Sequence, residues 1–169
     1  MDIIRPFLES DFGQTDGFCK YEGGEGLIYP SELWESNESF RRRIEQFPEG
    51  CLACANEQDQ LIGYMFCHPW KTDSVVPLNC ENLRIPKDAD CFYIHDIAVV
   101  PSHRRKGIAK RFLDIAIDLA RKNGFDMIKG VSVLGSHAYW EKRGFTVGED
   151  IIYGGVKAKV IQMKLGEIP

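Results

Sequence analysis

The chain has 169 residues and a formal net charge of −4, with 44% hydrophobic and 27% charged residues. That balance suits a single globular domain over 1–169 and excludes a disordered chain, a fibrous repeat and a disulfide-stapled miniature. No run approaches the ~20 apolar residues of a membrane span. Met1 to Asp11 carries Asp2, Arg5, Glu9 and Asp11 where an export signal would be apolar, so the six cysteines are expected as thiols in the cytoplasm.

The charge is unevenly spread. Residues 1–60 hold 13 acids and 5 bases, whereas 101–111 (PSHRRKGIAKR) holds five bases and no acid. An acidic protein with one basic knot suits a small, multiply charged anion better than a nucleic acid.

In chain order, DIIRPFLESDF predicts a short edge strand and a turn. Phe12 to Gly26, with five glycines, predicts a loop with one helical turn. Pro30-Ser31 starts a helical stretch, broken near Asn37 and closed at Pro48-Glu49-Gly50. Arg41, Arg42 and Arg43 in it are expected on a solvated face. Tyr29, Trp34, Phe40 and Trp70 are expected as core or as cleft walls, and cleft walls of that kind would favour a partly apolar amine. Cys51 to Asn56 and Leu61 to Pro69 predict a hairpin, and 71–90 a polar loop. Cys51-x-x-Cys54 is not a metal half-site, because a strand sends the two side chains to opposite faces and no second pair follows.

The second half is more regular. CFYIHDIAVV (91–100) predicts a buried strand stopped by Pro101, and 108–123 an amphipathic helix with Ile108, Phe112, Ile115, Ala116 and Leu119 inward. A strand at 127–133, a short helix at 136–143 and a hairpin over 146–165 complete the chain. The element order predicts an α+β fold with a mixed sheet, not a doubly wound one.

The chemistry concentrates between the strand at 91–100 and the helix that follows. A loop entering a helix presents unpaired backbone N–H groups at the positive end of the helix dipole. Gly107 admits close approach, Ala109 does not obstruct it, and Arg104, Arg105 and Lys106 add charge. Such a site suits a pyrophosphate, and neither GxxxxGK[ST] nor GxGxxG is present.

HDIAVVPSHRRKGIAKRFL resembles motif A of the GNAT superfamily of acetyl-CoA-dependent N-acetyltransferases, written [QR]-x-x-G-x-[GA], with Arg104, Gly107 and Ala109 in the three fixed places. AYWEKRGF resembles the motif-B ending x-Y-E-K-x-G-F. The resemblance implies a mostly antiparallel sheet with helices on both sides, splayed between the strands at 91–100 and 127–133. It implies acetyl-CoA as co-substrate, no metal, and a small-molecule or peptide amine as acceptor, in a monomer or homodimer. The backbone of Ile97, Ala98 and Val99 would pair with the pantetheine arm. The amides of Arg104, Arg105, Lys106, Gly107, Ile108, Ala109 and Lys110 would hold the pyrophosphate.

Strand alternation is expected to put Tyr93, His95 and Ile97 on one face, the face on which the family carries its base, and His95 has the suitable ordinary pKa. Asp96 is expected as a loop or helix-cap anchor. The sequence departs from the family four residues before Gly144, where Trp140 replaces the usual proton-donating tyrosine. Indole is no acid but would pack on the pantetheine end. Tyr139, one helical step away by ~100°, is the acid only if the register shifts. The missing tyrosine leaves open a non-catalytic acyl-CoA-binding or sensor domain, or a nucleotide-binding regulatory module.

Overall fold

The computed structural model describes residues 1–14 and 29–166. Its elements are β1 (Ile3–Pro6), α1 (Asn37–Gln46), β2 (Cys51–Ala55), β3 (Leu61–Trp70), β4 (Cys91–Val99), α2 (Ile108–Lys122), β5 (Met127–Val133), α3 (His137–Lys142), β6 (Thr146–Tyr153) and β7 (Val156–Lys164). The glycine-rich stretch beyond Gln14, with Cys19, lies outside the described residues.

The strands form one sheet in the order β1-β2-β3-β4-β5-β7-β6. Only β4 and β5 run parallel. A parallel pair needs a crossover connection, which α2 supplies. The expected mixed, mostly antiparallel α+β sheet is the one observed.

The helices cover opposite faces. Phe40 of α1 meets Tyr64 and Phe66 with ring centroids 5.9 and 4.7 Å apart. Phe112 and Ile108 of α2 lie over Gly63, where a Cβ would come within 3.3 Å of Phe112 and 3.4 Å of Ile108. Gly63 and Tyr64 are neighbours on β3, so they face opposite ways. The inward face of α2 is centred on Phe112, Leu113, Ala116 and Ala120, with Ile115 and Leu119 only partly buried. Burial of Phe112 alone stabilises by about 3 kcal/mol.

The helical stretch after Pro30 is indeed broken. A 3-10 turn at Ser31–Leu33 stops before α1, and the Ser36 side chain caps α1 by accepting from the Ser39 amide at 3.2 Å. Glu35 therefore stands in extended chain between the two. Arg41 and Arg42 pair with surface glutamates, but the expectation of a solvated Arg43 is wrong. Its side chain is 1% exposed, and Nη1 donates to the Ser39 carbonyl at 2.9 Å.

The expected alternation along β4 also fails. Tyr93 pairs with His68 and Ile94 with Cys67, yet Asp96 pairs with Phe66, so His95 is skipped. This β-bulge shifts the pleat by one residue. Tyr93 and Asp96 share the α1 face with Tyr64, Phe66 and His68, and Ile97, opposite Met65, faces α2.

Candidate active site

β4 and β5 pair only at Phe92–Ile128, Tyr93–Lys129 and Ile94–Gly130, then diverge. Beyond Ile94 the β5-side backbone groups of β4 have no strand partner. An extended ligand with its own amides fits such an edge, as an added strand would. An open cleft of about 870 Å³ starts here. Its walls are Ile97, Ala98 and Val99, then Arg104, Arg105 and Gly107 to Lys110, with Val133, Tyr139, Trp140 and Arg143 opposite. Lys106 is exposed beside the cleft and does not line it.

At the outer end α2 begins without a side-chain cap. Gly107 is its N-cap at φ 82°, a left-handed conformation that glycine adopts without strain. The first turn holds no acid, against the usual preference at a helix N-terminus, and Lys110 and Arg111 occupy it instead. Lys110 is neutralised by Asp114 at 2.9 Å, whereas Arg105 forms no ion pair with any described residue. Unpaired amides, dipole and guanidinium all favour an anion here.

Inward, the cleft joins a small pocket of about 100 Å³ through shared walls at Tyr29, Ile97, Val133, Ser136 and Trp140. Leu33, Leu78, Ile94, Val131, Phe145 and Ile161 make it apolar, and Glu35, His95, Asp96, Tyr29 and Tyr153 are its ionisable groups. The bulge delivers both His95 and Asp96 to it.

His95 Nε2 lies 2.7 Å from Glu35 Oε2, with the two side chains 2% and 4% exposed. A carboxylate only accepts, so the proton of the neutral ring sits on Nε2 and the Nδ1 lone pair is left without a protein partner. Glu35 also accepts from the Asn79 amide at 2.8 Å and Ser39 Oγ at 3.2 Å, with Arg43 Nη2 at 3.7 Å. Burial alone would raise the Glu35 carboxyl, but His95, Arg43 and the Asn79 amide outweigh it and hold it down at about 2. Asp96 accepts from Tyr29 Oη at 2.6 Å and from Tyr64 Oη at 2.8 Å. Its carboxyl is raised, because burial and the nearby Glu35 charge exceed the help from His95 and the tyrosines. Asp96 does anchor a loop, that of Tyr29, as expected, and it also lines the pocket.

The remaining candidates separate. Tyr93 is 1% exposed, stacks on His68 at 5.9 Å, and lies under the 71–90 loop beside Val76 and Leu83, so it lines neither space. Burial pushes its hydroxyl well above the ordinary tyrosine range. Tyr139 lines the outer cleft but not the inner pocket, with the Arg143 guanidinium 4.6 Å above its ring. Trp140 lines both and packs edge-on against Phe145 at 5.3 Å. His68 is neutral at ordinary pH, since burial lowers it to about 3. Burial raises Cys51 and Cys91 to about 12, which leaves unreactive thiols.

Sequence reasoning missed Glu35, and it read Tyr29 only as a wall. Neither stands in a motif or a periodic face; both reach β4 across 60 or more positions of chain. Among the described residues no cluster of three or more His, Cys, Asp or Glu is placed to hold a metal, and no helix is long and apolar enough to cross a membrane.

The model of the acetyltransferase (GNAT) family matches residues 20–145. No curated protein sequence matches the chain. Among solved structures it resembles the loading GNATL domain of CurA from Lyngbya majuscula, at 11% identity and a TM-score of 0.78, over 97% of this chain and 98% of that one. The GphF GNAT-like decarboxylase in complex with isobutyryl-CoA is similar at 16% identity and TM-score 0.76, over 97% and 100% of the two chains. The NatC complex bound to Gag peptide and CoA is similar at 20% identity and TM-score 0.71, over 98% and 99%. At such identities these likenesses establish the fold alone.

Proposed function

The chain belongs to the acetyltransferase (GNAT) family, and on that premise we propose that it moves an acetyl group from acetyl-CoA, consumed as a co-substrate, directly to a primary amine of a small molecule or peptide. The observation that carries this reading is the continuity of three features. The uncapped cationic start of α2, the unpaired edge of β4 and the inner pocket form one path. CoA has the matching sequence of parts: pyrophosphate, an amide-bearing arm and a thioester.

In this reading the amides of Gly107 to Lys110, with Arg104 and Arg105, bind the pyrophosphate, and Ile97 to Val99 align the arm. Trp140 narrows the passage between the two spaces. The apolar wall excludes bulk water from the reacting carbonyl and favours an acceptor with an apolar body.

Attack needs a neutral amine, and a lysine-like amine of pKa ~10.4 is neutral in roughly one molecule per few thousand at pH 7. His95 Nδ1 accepts its proton, directly or through one water, while Glu35 fixes the ring so that Nδ1 is the free nitrogen. Glu35 also stabilises the imidazolium so formed.

The test is calorimetric binding of acetyl-CoA, with ATP as competitor, followed by thiol release over a panel of amines. Tight acetyl-CoA binding and amine-dependent CoA release support the reading. Binding without release with any amine favours an acyl-CoA sensor.

A further inference from the structure

Transfer leaves a thiolate that must be protonated, and Trp140 stands where the family resemblance leads one to expect a tyrosine. The hydroxyl on the wall common to cleft and pocket, and bonded to a buried acid, belongs to Tyr29. Its main chain is fixed from the far side by Trp34 Nε1, which donates to the Tyr29 carbonyl at 2.9 Å. Its Oη donates to Asp96 Oδ1 at 2.6 Å, and Tyr64 Oη holds the other carboxyl oxygen at 2.8 Å. Tyr64 is 1% exposed and lines neither space, so of the two tyrosines bonded to Asp96 only Tyr29 lines the reaction path.

We propose, resting on the acetyl-transfer reading above, that Tyr29 protonates the departing CoA thiolate and that Asp96 supplies the replacement proton. The amine nitrogen forms a bond to the thioester carbonyl carbon and gives its surplus proton to His95 Nδ1. The carbon–sulfur bond breaks, and its electron pair on sulfur takes the Tyr29 hydroxyl proton. The Tyr29 oxygen takes the proton of the Asp96 carboxyl, whose Oδ1–H points along the same 2.6 Å contact when the acid is neutral. One proton has then entered at His95 and one has left Asp96. Proton transfer between these adjacent residues through a single water in the pocket restores both, and the products are the amide and CoA thiol.

The surroundings of Asp96 suit a proton source. The groups facing it are Tyr29, Tyr64 from β3, His95 from its own strand and Glu35 from the segment before α1. Burial and the Glu35 charge favour its neutral form against the two tyrosine bonds, which favour the carboxylate. Asp96 acts through Tyr29, as a positioning residue and proton store.

Tyr29→Phe and Asp96→Asn test this, each nearly isosteric. The first readout needs no turnover: calorimetric affinity for CoA against desulfo-CoA, which lacks the thiol. A hydrogen bond from Tyr29 to sulfur makes the wild type prefer CoA by about fivefold, and Tyr29→Phe abolishes the preference. The second is kcat for amine acetylation. Tyr29→Phe should lose about 10²-fold or more, with acetyl-CoA affinity and melting temperature little changed. Asp96→Asn should lower kcat comparably and abolish the part of the pH–kcat profile that depends on the carboxyl, which a merely structural role would leave in place. Wild-type activity on an amine together with a Tyr29→Phe kcat within about fivefold overturns the proposal alone. So does a large kcat loss with the CoA preference intact, which marks Tyr29 as a grip on the amine. A wild type that binds acetyl-CoA yet releases no CoA with any amine defeats the acetyl-transfer reading and the proposal with it.

Discussion

Glu35 and His95, sixty positions apart, meet at 2.7 Å inside the protein, and that contact leaves Nδ1 as the imidazole nitrogen with no protein partner. Glu35 is also the only carboxylate within ion-pair distance of the buried Arg43 among the described residues. One side chain thus orients the candidate base and neutralises a core cation.

Stability should depend on this carboxylate in a defined pH window. The Glu35 carboxyl is held at about 2 against an ordinary 4.5. A depressed acid contributes its full stabilisation above 4.5 and loses it as pH falls through 2. Urea unfolding should show the wild type weakening over that range by a few kcal/mol more than Glu35→Gln. At pH 7 Glu35→Gln should itself be destabilised by about 3 kcal/mol, since Arg43 is left buried without its counter-charge. Parallel pH dependence in the two proteins would count against the ion pair.

His95→Ala should lower kcat/KM for an amine about 10²-fold near neutrality. The deficit should shrink as pH rises toward the amine pKa, where the acceptor is already neutral. A small loss, uniform across pH, would assign His95 a packing role only.

The start of α2 calls for a paired substitution. Any side chain at 107 must adopt φ 82°, but a Cβ there meets nothing within 4 Å. Gly107→Ala and Gly107→Glu therefore share a backbone cost of about 1 kcal/mol, and only the second adds negative charge and bulk. Acetyl-CoA affinity by calorimetry should fall a further 10²-fold or so from alanine to glutamate. Equal affinities would remove the pyrophosphate from this loop.

Tyr139→Phe should retain activity within about tenfold, below the loss expected for a general acid. Its ring lies in the outer cleft beneath Arg143, away from the pocket of His95 and Asp96. Trp140→Ala should raise KM for acetyl-CoA along with any drop in kcat, because the indole walls both spaces. A several-hundred-fold loss in Tyr139→Phe with intact CoA binding would make Tyr139 the acid.

The sequence by itself determined what depends on neighbours along the chain. Proline and serine ahead of α1, the apolar face of α2, and Gly107 and Ala109 amid the arginines are local signals, since helix starts and anion-binding amides are built from consecutive residues. The order of elements carried the mixed sheet, because a crossover helix between two strands suits the parallel β4–β5 pair, and the family resemblance carried its fork. What only the tertiary structure decided is which side chains share the pocket. One skipped residue at His95 brought Asp96 to Tyr29, and a strict two-residue period cannot foresee that shift, while the 71–90 loop closed over Tyr93. Arg43 looks like surface until Glu35 is placed beside it. Contacts across sixty positions depend on how loops cross the sheet, and no spacing in the sequence records that path.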